Sequence, residues 1–203
     1  MPTSDSSDEE LLTQIIDGDE AAFTSLYRRR QASVYRFALR MSGSEAIAED
    51  VTQETFMAVV DDARRFDASR GTLAAYMYGI ARNRLRRRLE RDHAYVPLDE
   101  GAEPPQTIGL GATPGVDPLG SLARAETADR VRSAVLALPS HYREVVVLCE
   151  LEELSYAAAA GVLGCSVGTI RSRLARGRAL LTEKLRAQES GHTSPAKATR
   201  CFA

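Results

Sequence analysis

Tryptophan is absent from the 203 residues, and cysteine and histidine occur three times each. Cys149, Cys165 and Cys201 form no CxxC pair, so neither a disulfide framework nor a zinc site is expected, and no metal or other cofactor with them. His93, His141 and His192 are scattered, with no Ser-His-Asp grouping and no Gly-rich phosphate loop, so the usual signatures of a catalytic centre are missing and no enzyme is expected. No apolar run reaches the ~18 residues of a membrane span, so no membrane insertion is expected. Met1 to Glu10 is acidic and polar, without the basic and apolar blocks of a secretion signal, which makes the cytoplasm the expected compartment. Period-two alternation long enough for a sheet is also lacking. Lysine is scarce: of 26 basic residues only Lys184 and Lys197 are not arginine.

What is present is a strong segregation of charge beneath a net charge of −2. Residues 1–20 carry seven acids and no base, whereas Arg82 to Arg91 holds six arginines and Arg171 to Arg186 holds five plus Lys184. Arginine's planar fork suits phosphates and guanine edges better than lysine's point charge does. Genomic base composition can raise arginine content too, so the clustering is the informative part.

Helical periodicity runs almost unbroken from Glu9 to about Asp92. Leu11, Leu12, Ile15 and Ile16 make a short amphipathic helix ending at Gly18. A second helix is predicted from Asp19 to Met41 and a third from Glu45 to about Ala63, with Ser44 as its N-cap. Turn chemistry follows at Phe66 to Gly71, and Thr72 caps a fourth helix with Leu73, Met77, Ile80, Ala81, Leu85 and Leu89 on one side and arginines on the other. Residues 95–120 differ in kind, with five of the eight prolines, five glycines, four acids and no base. This composition predicts a flexible acidic linker that, extended at ~3.1 Å per residue, reaches roughly 75 Å. From Ser121 the helical pattern resumes, with helices over roughly Leu122 to Leu138 and His141 to Leu151. The expected fold class is all-α: two small helical domains at 1–94 and 121–188, the linker at 95–120 and a tail at 189–203.

Leu154 to Arg178 has the form of a helix-turn-helix, in which a short Ala-rich helix capped by Ser155 meets a turn at Gly164 and a helix capped by Ser166. Val167, Ile170, Leu174 and Leu181 face inward by their spacing. Arg171, Ser172, Ala175, Arg176 and Arg178 then face outward, with Arg173 at the edge. Small residues among arginines suit entry into a major groove, where arginine binds guanine O6 and N7 bidentately. A solvated basic face on an ordinary helix is the competing reading.

Here the residues resemble the extracytoplasmic-function group of bacterial sigma factors. The resemblance rests on Ala48-Glu49-Asp50-Val51-Thr52-Gln53-Glu54-Thr55-Phe56, on Phe66-Asp67 with Arg70-Gly71-Thr72, and on Gly79-Ile80-Ala81-Arg82-Asn83. It continues in Leu138-Pro139, Tyr142-Arg143-Glu144-Val145, Leu154-Ser155-Tyr156 and Leu163-Gly164-Cys165-Ser166 through Leu174. These blocks, in the family's order, span roughly residues 9–187.

The resemblance implies a protein that binds core RNA polymerase and directs promoter recognition, DNA melting and transcription initiation. It implies that Asp50, Gln53, Glu54 and Phe56 belong to the surface docking on the clamp helices of polymerase's largest subunit. Phe66 and Asn83 match positions of a pocket that captures the minus-ten element as single strand, Tyr76 and Tyr78 offer stacking, and Arg82, Arg84, Arg86, Arg87 and Arg88 would hold phosphates. Phe66 and Tyr76 also fit a place in the core. Arg171, Ser172, Arg173, Ala175, Arg176 and Arg178 would read the minus-thirty-five element, and an anti-sigma factor is a common partner in the family. The chain departs from the family pattern at Val60 and Tyr76, where tryptophan is common, at Ala157-Ala158-Ala159-Ala160-Gly161, where a Glu-Ile-Ala pattern is usual, and at Ala175. The Ala-rich departure predicts a surviving fold with weaker packing, because alanine keeps helix propensity high. The alternative is a conventional helix-turn-helix transcriptional regulator, which would leave the first domain's loop and docking helix unexplained.

Overall fold

The computed structural model describes residues 6–95 and 118–192, with side chains for 6–91 and 126–188. These residues form eight α-helices and no strand. The first half comprises α1 (Asp8–Ile16), α2 (Glu20–Ser42), α3 (Glu45–Asp61) and α4 (Leu73–Tyr95). The second comprises α5 (Pro118–Leu136), α6 (Ser140–Val146), α7 (Tyr156–Leu163) and α8 (Val167–His192).

Short polar side chains set where these helices begin. The Ser7 hydroxyl accepts from Glu10 N at 3.1 Å while the Glu10 carboxylate accepts from Ser7 N at 2.8 Å, closing a reciprocal capping box on α1. Asp19 accepts from Ala21 and Ala22, Ser44 from Ile47, Ser155 from Ala158 and Ser166 from Thr169, each satisfying an amide that the first helical turn leaves unpaired. The start of α4 is capped twice. Thr72 Oγ1 accepts from Ala75 N at 3.3 Å, and Glu9 of α1 accepts from Leu73 N at 3.1 Å. α1 is itself pinned to α2 through the buried Asp8, which pairs with Arg29 at 3.0 Å and with Arg30.

The core of the first half is built on Leu11, Leu26, Phe37, Val51, Leu73 and Met77, and that of the second on Leu138, Val145, Leu148, Ile170 and Leu174. Ile47, Ile80, Leu89, Val167 and Leu181, which periodicity places inward, are half-buried. Apolar contact continues between the halves: Leu136 of α5 lies against Gly43 at the end of α2, and α7 packs on α4. Around this seam the Arg143 guanidinium donates to the carbonyls of Leu136, Leu138 (3.0 Å) and Met41 (2.7 Å), so one half-buried side chain spans both halves.

Three differences from the sequence reading have physical causes. The helix expected from Leu122 begins at Pro118, because proline's fixed φ and missing N–H suit the first helical position. Tyr95 lies in α4, so of the expected linker only residues 96–117 remain, and these fall outside the described residues, as does 193–203 of the tail. The helix expected over His141–Leu151 is α-helical only to Val146 and then widens into a π turn over Val147–Leu151. That turn closes through Glu152 N to Val147 O at 2.9 Å and is followed by Glu153 at φ 55°, a left-handed conformation that costs a non-glycine residue roughly 1–2 kcal/mol.

Gly177 marks the closest approach of α8 to α6, since a Cβ there would lie 2.8 Å from Val146 Cγ2 and 3.6 Å from the Tyr142 carbonyl. Gly161 of α7 has open space around the same position. In urea unfolding, Gly161→Ala should raise stability by about 0.5–1 kcal/mol through helix propensity. Gly177→Ala should lower it by about 1–3 kcal/mol, overpacking outweighing the same propensity gain.

Candidate nucleic-acid interface

The helix-turn-helix is formed by α7, a turn and α8. Gly164 adopts φ 63° at the end of α7, and its N–H reaches Gly161 O while Cys165 N reaches Ala160 O, which reverses the chain within three residues. Ile170 and Leu174 are buried beneath α8, so Arg171, Ser172, Ala175 and Arg176 come to lie exposed on its opposite face, with Arg173 half-buried beside them. Arg178 is exposed but engaged: Glu150, in the π turn, accepts from its guanidinium at 2.5 and 3.2 Å. The outward set thus divides into four side chains facing solvent in the first three turns and one arginine already held by a carboxylate.

In the first half, the Phe66–Gly71 stretch is a pair of tight turns, with Asp67 accepting from the Ser69 hydroxyl at 2.7 Å and the Ser69 amide at 3.0 Å. These hydrogen bonds, the hydroxyl's foremost, hold the Asp67 carboxyl below the usual carboxylate range. Phe66 and Tyr76 are half-buried and pack ring to ring, centroids 5.5 Å apart. Asn83, Arg86 and Arg87 are exposed along one side of α4, a 3–4 spacing that brings them to a common face. Arg82 points elsewhere, its Nε 2.6 Å from Oε1 of Glu144 in the second half. Tyr78, offered by the sequence as a stacking platform, is 4 % exposed and packs on Phe37 at 5.2 Å. Its hydroxyl donates to Glu152 at 2.7 Å, and burial, reinforced by that carboxylate, drives its pKa far up.

On α3, Asp50 and Glu54 are partly exposed and face α4, Asp50 lying 2.7 Å from Arg88 and Glu54 3.7 Å from Arg84. Gln53 is exposed beside them. Phe56 is 2 % exposed and packs on Tyr27 at 4.7 Å, so it shapes the surface from beneath rather than presenting a contact of its own. Met57, which the sequence reading did not single out, and Val60, which it named only as a departure from the family pattern, stand 66 % and 42 % exposed. With Ile15, Phe23 and Tyr27 they line a mainly apolar groove of about 730 Å³ whose rim carries Asp19, Glu20 and Asp61. The available signal was their register: both fall off the buried Val51, Thr55, Val59 stripe of α3 yet are apolar.

The family model Sigma-70 region 2 matches residues 26–94, and the model Sigma-70, region 4 matches residues 128–181. Over 204 residues the chain is 34 % identical to the ECF RNA polymerase sigma factor SigE of Mycolicibacterium smegmatis, covering 93 % of this chain and 72 % of that protein. It is 31 % identical to SigW of Bacillus subtilis, covering 86 % of this chain and 95 % of that one. Among solved structures, CnrH in complex with the cytosolic domain of CnrY superposes with a TM-score of 0.65 at 28 % identity, over 90 % of this chain and 99 % of that chain. RpoE in complex with the anti-sigma factor NepR from Bartonella quintana superposes with a TM-score of 0.61 at 26 % identity, over 81 % and 96 %. With both regions present in order and curated relatives matched along most of their length, this chain belongs to the extracytoplasmic-function sigma factors, which bind core RNA polymerase and direct promoter recognition and transcription initiation.

Proposed function

We propose a division of this activity among three surfaces: α3 and its groove dock on polymerase, the Phe66–Gly71 loop with α4 captures the melted minus-ten element, and α8 reads the minus-thirty-five element. The observation that carries the reading is the outward quartet of Arg171, Ser172, Ala175 and Arg176 on a helix whose opposite face is fixed by Ile170 and Leu174. Two arginines flanking small residues leave room for close approach and supply bidentate donors for guanine. On α4 the exposed Asn83 amide is suited to a base edge, and Arg86 and Arg87 to the adjoining phosphates. The half-buried Phe66–Tyr76 pair offers an apolar wall against which an extruded base can be held.

Docking joins an apolar ridge, Met57 and Val60, to the polar group of Asp50, Gln53 and Glu54. A partner helix with an apolar stripe and basic flanks matches both, the partner's arginines competing with Arg88 and Arg84 for the carboxylates. In this reading polymerase performs all bond-making, the chain contributes recognition alone, and it acts in the cytoplasm with polymerase. The domain limits that go with it are 1–94 for docking and the minus-ten element and 121–188 for the minus-thirty-five element.

Run-off transcription with purified core polymerase on a genomic promoter library tests the whole reading, and no transcript above core alone would sink it. Asn83→Ala should reduce open-complex formation more than binding to core; equal loss of both contradicts a base pocket. Arg171→Ala and Arg176→Ala should each cost about 1–3 kcal/mol on the cognate minus-thirty-five duplex if they read bases, checked by competition binding of the holoenzyme. Glu54→Gln should change folding stability by less than about 1 kcal/mol, since its partner is a surface arginine, while weakening retention on immobilised core.

A further inference from the structure

Arg178 differs from the rest of the outward set on α8 in being held by a carboxylate. Its Nε and Nη2 both donate to Oε1 of Glu150, at 3.2 and 2.5 Å, which fixes the side edge of the guanidinium. Glu150 comes from the π turn between α6 and α7, whose wider i→i+5 spacing turns the residues after Val146 away from the register of α6. The pKa of Arg178 is raised, first by the hydrogen bond to Glu150 and then by that carboxylate's charge, and Tyr156 acts in the same direction. Tyr156 is the first residue of α7 and is 38 % exposed. An arginine of α8, an acid of the π turn and a tyrosine at the start of α7 therefore meet at one point of the surface.

Stability does not account for the pair. The two side chains are 55 % and 36 % exposed, and an ion pair so placed contributes little to folding. What it does is set a direction. A guanidinium carries five N–H donors; with two of them on Glu150, the donors of Nη1 and the second of Nη2 lie on edges turned away from the carboxylate, a fork that matches a phosphate. The place of Arg178 on α8 points the same way. It stands seven residues after Arg171, nearly two turns and roughly 10 Å further along the axis. In helix-turn-helix docking the N-terminal residues of the second helix meet base edges, while the first helix crosses the DNA backbone. Arg178, late on α8 and beside the first residue of α7, thus falls on the backbone side of the motif.

We propose that Glu150 is a positioning residue for recognition of the minus-thirty-five element, holding one edge of Arg178 so that its opposite end, beside Tyr156, takes a backbone phosphate bordering that element. The proposal rests on the assignment of α8 to the element and gives Arg178 a distinct place within it, as the ligand that sets register while Arg171 and Arg176 meet bases. Phosphate contacts orient a protein on a duplex without carrying sequence information themselves. An arginine held in advance also loses less rotamer freedom when the phosphate arrives. A carboxylate that merely repelled DNA would act with the opposite sign, so binding measurements separate the two.

The test is competition binding of the holoenzyme to a promoter duplex that carries the minus-thirty-five element and stops short of minus ten. Binding is measured over a range of salt and on versions with single base-pair changes. Arg178→Ala should weaken binding by a similar factor on every version and lower the slope of log affinity against log salt by about 0.9, the signature of one lost phosphate contact. A loss confined to one base pair would make Arg178 a base reader and overturn the proposal. Glu150→Ala should weaken binding about three- to tenfold, the cost of ordering one long side chain that is no longer held. Glu150→Gln, which keeps an oxygen for the Nε–Nη2 edge, should recover most of that loss. Unchanged binding by Glu150→Ala would overturn positioning, and tighter binding would do so by marking the carboxylate as a competitor of phosphate. With Arg178→Ala already present, Glu150→Ala should add nothing; a further loss would show that Glu150 acts through some other group and would count against the proposal equally. Arg171→Ala and Arg176→Ala on the same duplexes report on the underlying assignment. If both bind as wild type does, α8 does not read this element and the proposal goes with it; a loss in these two with none in Glu150→Ala removes the positioning role alone.

Discussion

A helix crowded with guanidinium groups cannot pack against a neighbour until those charges are answered, and this governs how the molecule is assembled. Burial of an unpaired charge costs several kcal/mol, so each arginine near a seam needs a carboxylate or a set of carbonyls opposite it. Asp8 answers Arg29 and Arg30 where α1 meets α2, Glu144 and Glu152 answer Arg82 and Arg40 between the halves, and three main-chain oxygens answer Arg143. Arg86, Arg87, Arg171 and Arg176 are among the arginines that stay exposed, Arg86 beside Glu90 at 3.6 Å.

Local features of the fold were legible because their causes are local. Ser44, Thr72, Ser155 and Ser166 each cap the helix that a reading of the sequence assigns them, since a short hydroxyl needs only an amide two or three residues on. The inward stripe of α8 and its outward quartet follow from a 3.6-residue period and need no partner to define them. Arg82 and Tyr78 are different. Their surroundings depend on Glu144 and Glu152, 62 and 74 residues away, and nothing in α4 announces an acid arriving from the other half. The burial of Phe56 was not legible for a related reason: its aromatic partners Phe23 and Tyr27 lie on α2, and only their convergence shows that the ring is beneath the surface while Met57 is upon it.

The alanine-rich helix α7 shows how a sequence departure can be read from packing. Taken alone, Ala157 to Ala160 predicts a thinner core. In the structure Ala159 and Ala160 are buried, and α7 is the helix that packs on both α4 and α8. Side chains of one carbon permit close approach of a neighbouring helix on two sides at once. The π turn ahead of α7 belongs to the same geometry, because it places Glu150 towards Arg178 and Glu152 towards Arg40 and Tyr78.

The Glu9 carboxylate at the first amide of α4 has a mechanical meaning. α1 is riveted to α2 by Asp8 and by the buried Leu11 and Leu12, and Glu9 accepts from the first amide of α4, directly after the Phe66–Gly71 loop. The start of α4 is thereby fixed by a side chain some sixty residues earlier, so a change at the amino-terminal helix bears on that loop as well.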